Sequence, residues 1–369
     1  MSKEKPYPPQ YYQDYLRLEK ILNNQQLKSD EYGQHAHDEM LFIIIHQIYE
    51  LWFKQILFEL DSVLKIFNKK EIKESHIATA VTRLSRIIEI QKILIDQIQV
   101  LETMTPMDFL DFRDLLIPAS GFQSVQFRKI ENKLGLKAED RYSYGGANYC
   151  TYLHEYDQKQ VKASETQRSL FDLMEKWLER TPFLNWGDTS FWDEYALAVT
   201  SMLNDDRRLI ETNQKLSEEE KEKHLTEYAK TEASFGVVLD KSLHTKMVKD
   251  GHWRLSHKAT QAALLIQLYR DQPILLNPYR LLTKLADIDE LLTTWRYRHA
   301  LMVSRMIGRK IGTGGSTGSE YLSKTAEKHR IFTDISELTT FLIPRSALPV
   351  LPVEIRDNLG FYFHVKASG

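Results

Sequence analysis

The stretch HDEMLFIIIHQIYELWFKQILFELDSV, residues 37–63, carries the pattern that decides the fold class. Phe42, His46, Tyr49 and Phe53 recur at spacings of three and four, so they share one face of an α-helix. We predict that this helix spans residues 38–68, with Asp38 at its N-cap.

The same helical period recurs along the chain, and no strand-like alternation of apolar and polar residues stands out. The chain is therefore predicted to be all-α, with residues 1–369 in one large helical-bundle domain. Two segments are predicted to differ from this bundle: residues 1–20 form an N-terminal arm, and the charged stretch 204–250 forms one or two solvated helices or a partly mobile insertion. Further helices are predicted over residues 14–27, 75–103, about 120–135, 160–180, 283–308 and 334–342.

Composition narrows the class of protein. The 369 residues include 49 Lys and Arg against 51 Asp and Glu, a balance that argues against a nucleic-acid-binding surface. The single cysteine, Cys150, cannot form an internal disulfide, which favours a reducing compartment. The polar N-terminus lacks the apolar core of a signal peptide, and no apolar run appears long enough to cross a membrane. We expect a soluble, cytoplasmic protein.

A histidine stands in an apolar stripe of the helix predicted over 283–308. Trp295 precedes His299 by one turn, and Met302 and Met306 follow on the same face. A buried histidine with a hydrogen-bond partner is one interpretation. The other is an axial haem ligand, since haem needs a neutral imidazole that points into an apolar slot. His46 has the same two interpretations: a satisfied core histidine, or a polar group beside a cofactor.

Residues 105–128 pair an aromatic side chain with a cation. Phe109 and Arg113 are four residues apart and share a face if the segment is helical. Such a pair suits a ligand with an aromatic body and a carboxylate, because arginine grips carboxylates with two hydrogen bonds. The alternative is an ion pair of Arg113 at the surface with Asp108, Asp111 or another acid.

The glycine-rich segment GTGGSTGS, residues 312–319, contains Thr313 and lacks the GK[ST] of a phosphate-binding loop. It is either a flexible connector or a lid that closes over a small ligand.

Long, ordered segments of the chain resemble the tryptophan 2,3-dioxygenase family. They are YYQDYLRLEKIL (11–22), residues 37–63, ETMTPMDFLDFRDLLIPASGFQSVQFRKIENKLG (102–135), KWLERTP (176–182), DIDELLTTWRYRHALMVSRMIGRKIGTGGSTG (287–318) and LTTFLIPR (338–345). The charged stretch 204–250 matches least.

The resemblance implies a role for each matching position. His299 would be the proximal ligand of haem b, with Trp295 against the haem pocket and Ser120 beside the distal haem face. For the substrate, the resemblance implies His46 on the indole N–H, Phe42 and Phe109 on the indole ring, Arg113 on the carboxylate, and Thr313 at the ammonium and carboxylate end. Tyr12 and Tyr15 would reach into the pocket of a neighbouring subunit of a homotetramer.

The activity that the resemblance implies is cleavage of the indole C2–C3 bond of L-tryptophan by dioxygen to give N-formyl-L-kynurenine, the first step of the kynurenine pathway. Three alternatives stay open from the sequence: a haem-binding sensor or carrier without turnover, a helical scaffold without cofactor, and the same chemistry on another indole. Whether His46 acts as a base or only orients the indole also stays open.

Overall fold

The computed structural model of the chain describes residues 7–141, 150, 153–181, 185–186, 189–308, 310 and 318–360. Within these ranges the fold is dominated by α-helices. They are α1 Tyr12–Leu16, α2 Leu18–Leu22, α3 Lys28–Glu31, α4 Glu39–Phe67, α5 Glu74–Leu101, α6 Pro106–Arg113, α7 Val125–Leu134, α8 Glu155–Glu165, α9 Leu170–Leu178, α10 Phe191–Thr212, α11 Glu218–Ser234, α12 Gly236–Leu239, α13 Lys241–Lys249, α14 His257–Leu268, α15 Pro273–Ile307, α16 Gly318–Lys328, α17 Thr333–Glu337 and α18 Val353–Leu359.

Short elements complete the described part of the chain. Single 3₁₀ turns span Asp114–Leu116, Gly121–Gln123, Leu338–Phe341 and Arg345–Ala347. Two strands of two residues each, β1 Asn185–Trp186 and β2 Thr189–Ser190, pair antiparallel. This single pair adds little to the architecture, and the prediction of an all-α fold is confirmed.

Three long helices form the centre of the molecule. Helix α5 packs against both α4 and α15, and α7 and α16 lie against α4 and α15 respectively. Leu60, Leu84 and Ile288, one from each long helix, have no exposed surface. Burial of such a side chain contributes about 1.5–3 kcal/mol, so the aligned apolar faces hold the three helices in register.

Helix α15 begins ten residues before its predicted start. Pro278 lies inside it and is buried. A proline removes one backbone hydrogen bond from a helix interior and usually marks a helix end, so a helix that continues through Pro278 runs against the local sequence signal. The other end lies where predicted, since Gly308 follows the last helical residue with a positive φ of 58°.

Two predicted helices are each divided in the structure. The segment 14–27 forms α1 and α2, because Arg17 adopts left-handed backbone geometry, and α2 ends at Leu22. The segment 160–180 is divided between α8 and α9. Ser169 starts α9 as a new helix by accepting a hydrogen bond from the backbone N–H of Asp172.

The charged stretch 204–250 is helical over most of its length, in α10 to α13. An ion pair of 2.7 Å joins Arg207 to Glu232. The stretch does not project over its whole length, because Phe235, Val237 and Val238 are buried in the main core. Because these apolar residues are few among many charged ones, the sequence pattern did not show that this part of the stretch is buried.

Helix α4 is long and apolar enough to cross a membrane by length and composition. Core helices of soluble proteins meet the same criterion, so this property alone is weak support for a membrane span. Here α4 packs against α5, α7 and α9.

Candidate functional site

A cavity of about 300 Å³ lies between α4, α6, α7 and α15. Its volume falls in the range of about 300–1,000 Å³ that is typical of small-molecule and cofactor sites. The lining includes seven of the residues that the sequence singled out, from four separate segments: Phe42, His46, Phe109, Arg113, Ser120, Trp295 and His299.

The imidazole of His299 lies on the α15 wall of this cavity, stacked on Trp295. Burial, with a smaller contribution from the nearby His46, lowers the pKa of His299 to about 4. The ring is therefore neutral near pH 7, which is the form that binds a metal. Its Nδ1 is buried, and no described residue accepts or donates a hydrogen bond there. The interpretation of His299 as a core histidine held by a protein partner thus has no support among the described residues.

The protein around His299 suits an iron that brings its own ligands. Within the described ranges, no three His, Cys, Asp or Glu side chains lie close enough to hold a metal ion together. A haem iron needs only an axial ligand from the protein, because the porphyrin supplies four nitrogens. A neutral imidazole on the wall of a largely apolar cavity therefore fits haem.

His46 faces the same cavity from α4, and one of its nitrogens is already bonded. Its Nδ1 lies 2.7 Å from the carbonyl oxygen of Phe42. A carbonyl oxygen only accepts, so Nδ1 carries the proton, and in the neutral ring Nε2 is the acceptor. Burial lowers the pKa of His46, partly offset by the bond to Phe42. The site thus contains a hydrogen-bond acceptor suited to an N–H group.

Aromatic rings form the apolar end of the cavity. The Phe42 ring lies 4.1 Å from that of His46 and 5.8 Å from that of Phe109, measured between centroids. Phe112 supports both phenylalanines from behind, at 5.6 and 5.4 Å, and is fully buried. A flat aromatic ligand packed against these rings would gain contact area.

Arg113 combines features of both interpretations. Its side chain is 15% exposed and lines the cavity. It also forms an ion pair, at 3.3 Å, with Asp114, whose own side chain is 84% exposed. Asp114 is thus the other acid that the ion-pair interpretation allowed for, whereas Asp108 bonds to Thr105 at the start of α6. An ion pair with a solvent-exposed partner contributes little free energy. A ligand carboxylate in the cavity can therefore compete with Asp114 for the guanidinium.

The remaining predicted residues have different outcomes. Ser120 lines the cavity, and its hydroxyl accepts a hydrogen bond of 3.4 Å from the backbone N–H of Phe122. Tyr12 and Tyr15 are 73% and 71% exposed on α1 and do not line this cavity of their own chain. Thr313 lies outside the described residues.

A buried charged cluster, which sequence reasoning missed, forms the wall between α7 and α15. Glu131 lies 2.5 Å from Arg141, 3.0 Å from Arg128 and 2.9 Å from Arg296, measured between nitrogen and oxygen atoms. Burial would raise the pKa of Glu131, but these cations and His329 hold it well below its usual value. Three guanidinium groups around one carboxylate make this wall positively charged. Only the spacing of Arg128 and Glu131 within α7 signalled it in the sequence.

Three more aromatic residues line the cavity beside Trp295. Tyr49, Phe53 and Phe127 lie close to it or to one another, with centroid distances of 6.2 Å for Tyr49–Trp295 and 5.2 Å for Phe127–Trp295. The Tyr49 hydroxyl donates to the carbonyl oxygen of Leu94 at 2.5 Å, and burial raises its pKa to about 12. The sequence places Tyr49 and Phe53 on the helical face of His46, without giving either residue a role in the site.

Comparison with known proteins agrees with this arrangement. The family model described as tryptophan 2,3-dioxygenase matches residues 4–342. A tryptophan 2,3-dioxygenase from Bdellovibrio bacteriovorus is 54% identical over 97% of this chain and 99% of its own length. Those from Alteromonas mediterranea and Dictyostelium discoideum are 48% and 46% identical, over 97% and 96% of this chain and 99% and 89% of their own. With a cavity of this composition and matches over almost its whole length, the chain belongs to the tryptophan 2,3-dioxygenase family.

Proposed function

We propose that this chain binds haem b through His299 and cleaves the indole C2–C3 bond of L-tryptophan with dioxygen to give N-formyl-L-kynurenine. The observation that carries the proposal is that one cavity brings four groups together: a neutral imidazole whose Nδ1 has no hydrogen-bond partner among the described residues, a second histidine whose Nε2 is an acceptor, aromatic rings and a guanidinium. Relatives that share almost the full length of the chain carry the name of this activity, and the family is haem-dependent.

The residues that would hold the haem are on the α15 and α7 sides of the cavity. His299 would be the axial ligand, and Trp295 would restrict its ring by stacking. Ser120 would lie beside the cofactor. Arg128 and Arg296 on the charged wall around Glu131 would supply positive charge for the two anionic propionates of haem b.

The residues that would hold tryptophan are on the α4 and α6 sides. Arg113 would bind the carboxylate, and Thr313 would contact the ammonium and carboxylate end. Phe42 and Phe109 would enclose the indole ring, whose N–H would donate to Nε2 of His46. These contacts select an amino acid with an indole, because the carboxylate meets a cation, the ring meets aromatic side chains and the indole N–H meets an acceptor.

When bound, the haem contributes the activation of dioxygen. Both oxygen atoms enter the product, one on C2 as the formyl oxygen and one on C3 as the ketone oxygen, while the C2–C3 bond breaks. The chain's own residues position the indole and exclude water. His46 orients the indole and does not act as a general base, because an indole N–H is a very weak acid and burial lowers the pKa of His46, which makes the ring a weaker base.

The N-terminal arm, residues 1–20, would complete the pocket of a neighbouring subunit in a homotetramer. None of the residues of α1 is buried in its own chain, and Tyr12 and Tyr15 are free to contact another. We also propose a cytoplasmic location, with which a sequence containing one cysteine, the buried Cys150, is compatible. We further propose that residues 1–369 form a single domain.

The proposal is tested by incubating the haem-loaded, ferrous protein with L-tryptophan under ¹⁸O₂. We expect N-formyl-L-kynurenine with two labelled oxygen atoms by mass spectrometry. A protein that binds haem and dioxygen but forms no product would be a sensor or carrier. A preparation that takes up no haem would be a scaffold, and product from another indole at a higher kcat/KM would change the substrate.

A further inference from the structure

A second, smaller cavity of about 20 Å³ lies beside the main one, enclosed by α4, α5, α7 and α15. Its lining is largely apolar and consists mostly of aliphatic side chains, among them Ile56, Ile87, Leu134 and Leu291. A cavity needs about 10–15 Å³ of such volume to hold one water-sized molecule. This one therefore has room for a molecule of two heavy atoms and not for an amino acid.

The polar groups of the small cavity are too few to hold water well. Apart from the indole N–H of Trp295, Gln91 carries the only polar side chain among the described residues that line it. The amide nitrogen of Gln91 donates to the carbonyl oxygen of Ile288 at 3.2 Å, and its Oε1 is buried without a hydrogen-bond partner among the described residues. An internal water needs about two to four polar partners, whereas apolar cavities stay dry and bind apolar molecules such as xenon.

A partition of aromatic rings separates the two cavities. Phe53, Phe127 and Trp295 line both of them. The ring centroids lie 5.4 Å apart for Phe53–Phe127 and 5.2 Å apart for Phe127–Trp295, at tilts of 47° and 43°. The two cavities are thus separated by the thickness of these side chains, and no backbone segment is needed to divide them.

We propose that the small cavity is a holding site for dioxygen on its way to the main cavity, an inference that rests on the proposed function. Dioxygen is apolar, forms no strong hydrogen bonds with protein groups and has two heavy atoms, so it matches the cavity in polarity and in size. Tryptophan reaches the main cavity by another side, because Arg113 and Phe109 are not part of the partition. The two substrates thus approach the reacting position separately.

The first test is the structure of crystals of the haem-loaded protein pressurised with xenon. We expect an anomalous-scattering peak between Ile56, Ile87 and Leu291, and higher occupancy there in Leu291→Ala, which enlarges the cavity. Absence of xenon from this position in both proteins overturns the proposal. This readout needs no turnover, so it remains informative if the protein fails to oxidise tryptophan and the proposed function itself is wrong.

The second test is steady-state kinetics with dioxygen as the varied substrate. Leu291→Phe fills the small cavity and should raise KM for dioxygen several-fold, with KM for tryptophan unchanged. Leu57→Phe is the matched control, because Leu57 is also half-buried, packs on the core and lines neither cavity. An unchanged KM for dioxygen in Leu291→Phe, even with xenon bound in the wild-type cavity, overturns the role in delivery. Should Leu291→Phe fail to fold, Leu291→Ala takes its place in the kinetics, where the enlarged cavity is expected to change KM for dioxygen and leave KM for tryptophan unaltered.

Discussion

The rings of Trp295 and His299 are stacked one helical turn apart, with centroids separated by 5.3 Å and planes inclined by only 15°. Residues i and i+4 share a face of a helix, so the backbone brings the two rings together without help from a loop. The large indole restricts rotation of the smaller imidazole. An axial ligand with a restricted ring is preorganised, which reduces the entropy lost when a cofactor binds.

Truncating the guanidinium in Arg113→Ala should weaken use of L-tryptophan. Removing one partner of a buried, hydrogen-bonded charge pair costs about 2–5 kcal/mol, so kcat/KM should fall by at least about 25-fold. Steady-state kinetics measures this. Tryptamine, which lacks the carboxylate, should be used equally by the variant and the wild type. Arg86→Ala, which removes an arginine that pairs with Glu59 outside the cavity, should leave kcat/KM unchanged. Equal kinetics of Arg113→Ala and wild type would show that the carboxylate binds elsewhere.

The acceptor role of His46 predicts a loss of discrimination in His46→Ala. Wild-type protein should prefer L-tryptophan to 1-methyl-tryptophan, because only the former donates an N–H to Nε2. Loss of a hydrogen bond that leaves a buried group unpaired costs about 1–3 kcal/mol. The preference in kcat/KM should therefore be roughly 5- to 150-fold. The ratio of kcat/KM for the two substrates should approach one in the variant, with haem content unchanged. A ratio that stays at the wild-type value would remove His46 from indole recognition.

Glu131 should stabilise the fold in a pH-dependent way. Its pKa is lowered in the folded state, so the unfolded state binds the proton more readily. The stabilisation is therefore fully present above about pH 4.5 and is lost as the pH falls toward the folded pKa. Denaturant unfolding of wild type should show this loss of unfolding free energy in acid, and Glu131→Gln should not.

The same substitution should also destabilise the protein near neutral pH. Removing the carboxylate leaves three buried guanidinium groups, a loss of about 3–5 kcal/mol. Glu59→Gln is the control, because its partner Arg86 is 54% exposed and can be solvated. If both variants unfold at the same denaturant concentration as wild type, the charged wall does not stabilise the fold.

The N-terminal arm should act between subunits. A variant with both Tyr12→Ala and Tyr15→Ala, and a second variant with His299→Ala, should each have little activity. Their co-expression should restore activity, because an intact arm can complete an intact haem pocket on its neighbour. Tyr32→Ala removes a tyrosine that is 64% exposed outside the arm and should be fully active alone. Mixed oligomers without activity would mean that the arm serves its own chain.

Helical periodicity predicted the elements that carry the site but not all of their ends. Phe42 and His46, or Trp295 and His299, could be assigned to one cavity-facing stripe each because their spacing is local. The start of α15 was wrong because the buried Pro278 is tolerated by tertiary packing, which a local pattern does not reveal. The division between α8 and α9 was missed for the same kind of reason, since the cap at Ser169 depends on a single side chain.

Only distances in the structure could decide between the alternative interpretations of the site residues. Arg296 and Glu131 are 165 residues apart in the chain, yet their side chains are in contact, and no periodic pattern predicts such a pair. Arg113 was expected either at a ligand or in a surface ion pair, and it lies at the cavity while bonded to Asp114. The resemblance to a family supplied roles that the residues alone left undecided, and these roles stay predictions until tested.

The visible absorption spectrum of the purified, haem-supplemented protein tests the central assignment most directly. The account predicts a haem spectrum for wild type that changes when L-tryptophan is added, and loss of that spectrum in His299→Ala with the helical circular dichroism intact. His46→Ala should keep the haem, which separates the axial ligand from its neighbour. A His299→Ala protein with wild-type haem content and the same response to tryptophan would contradict the account.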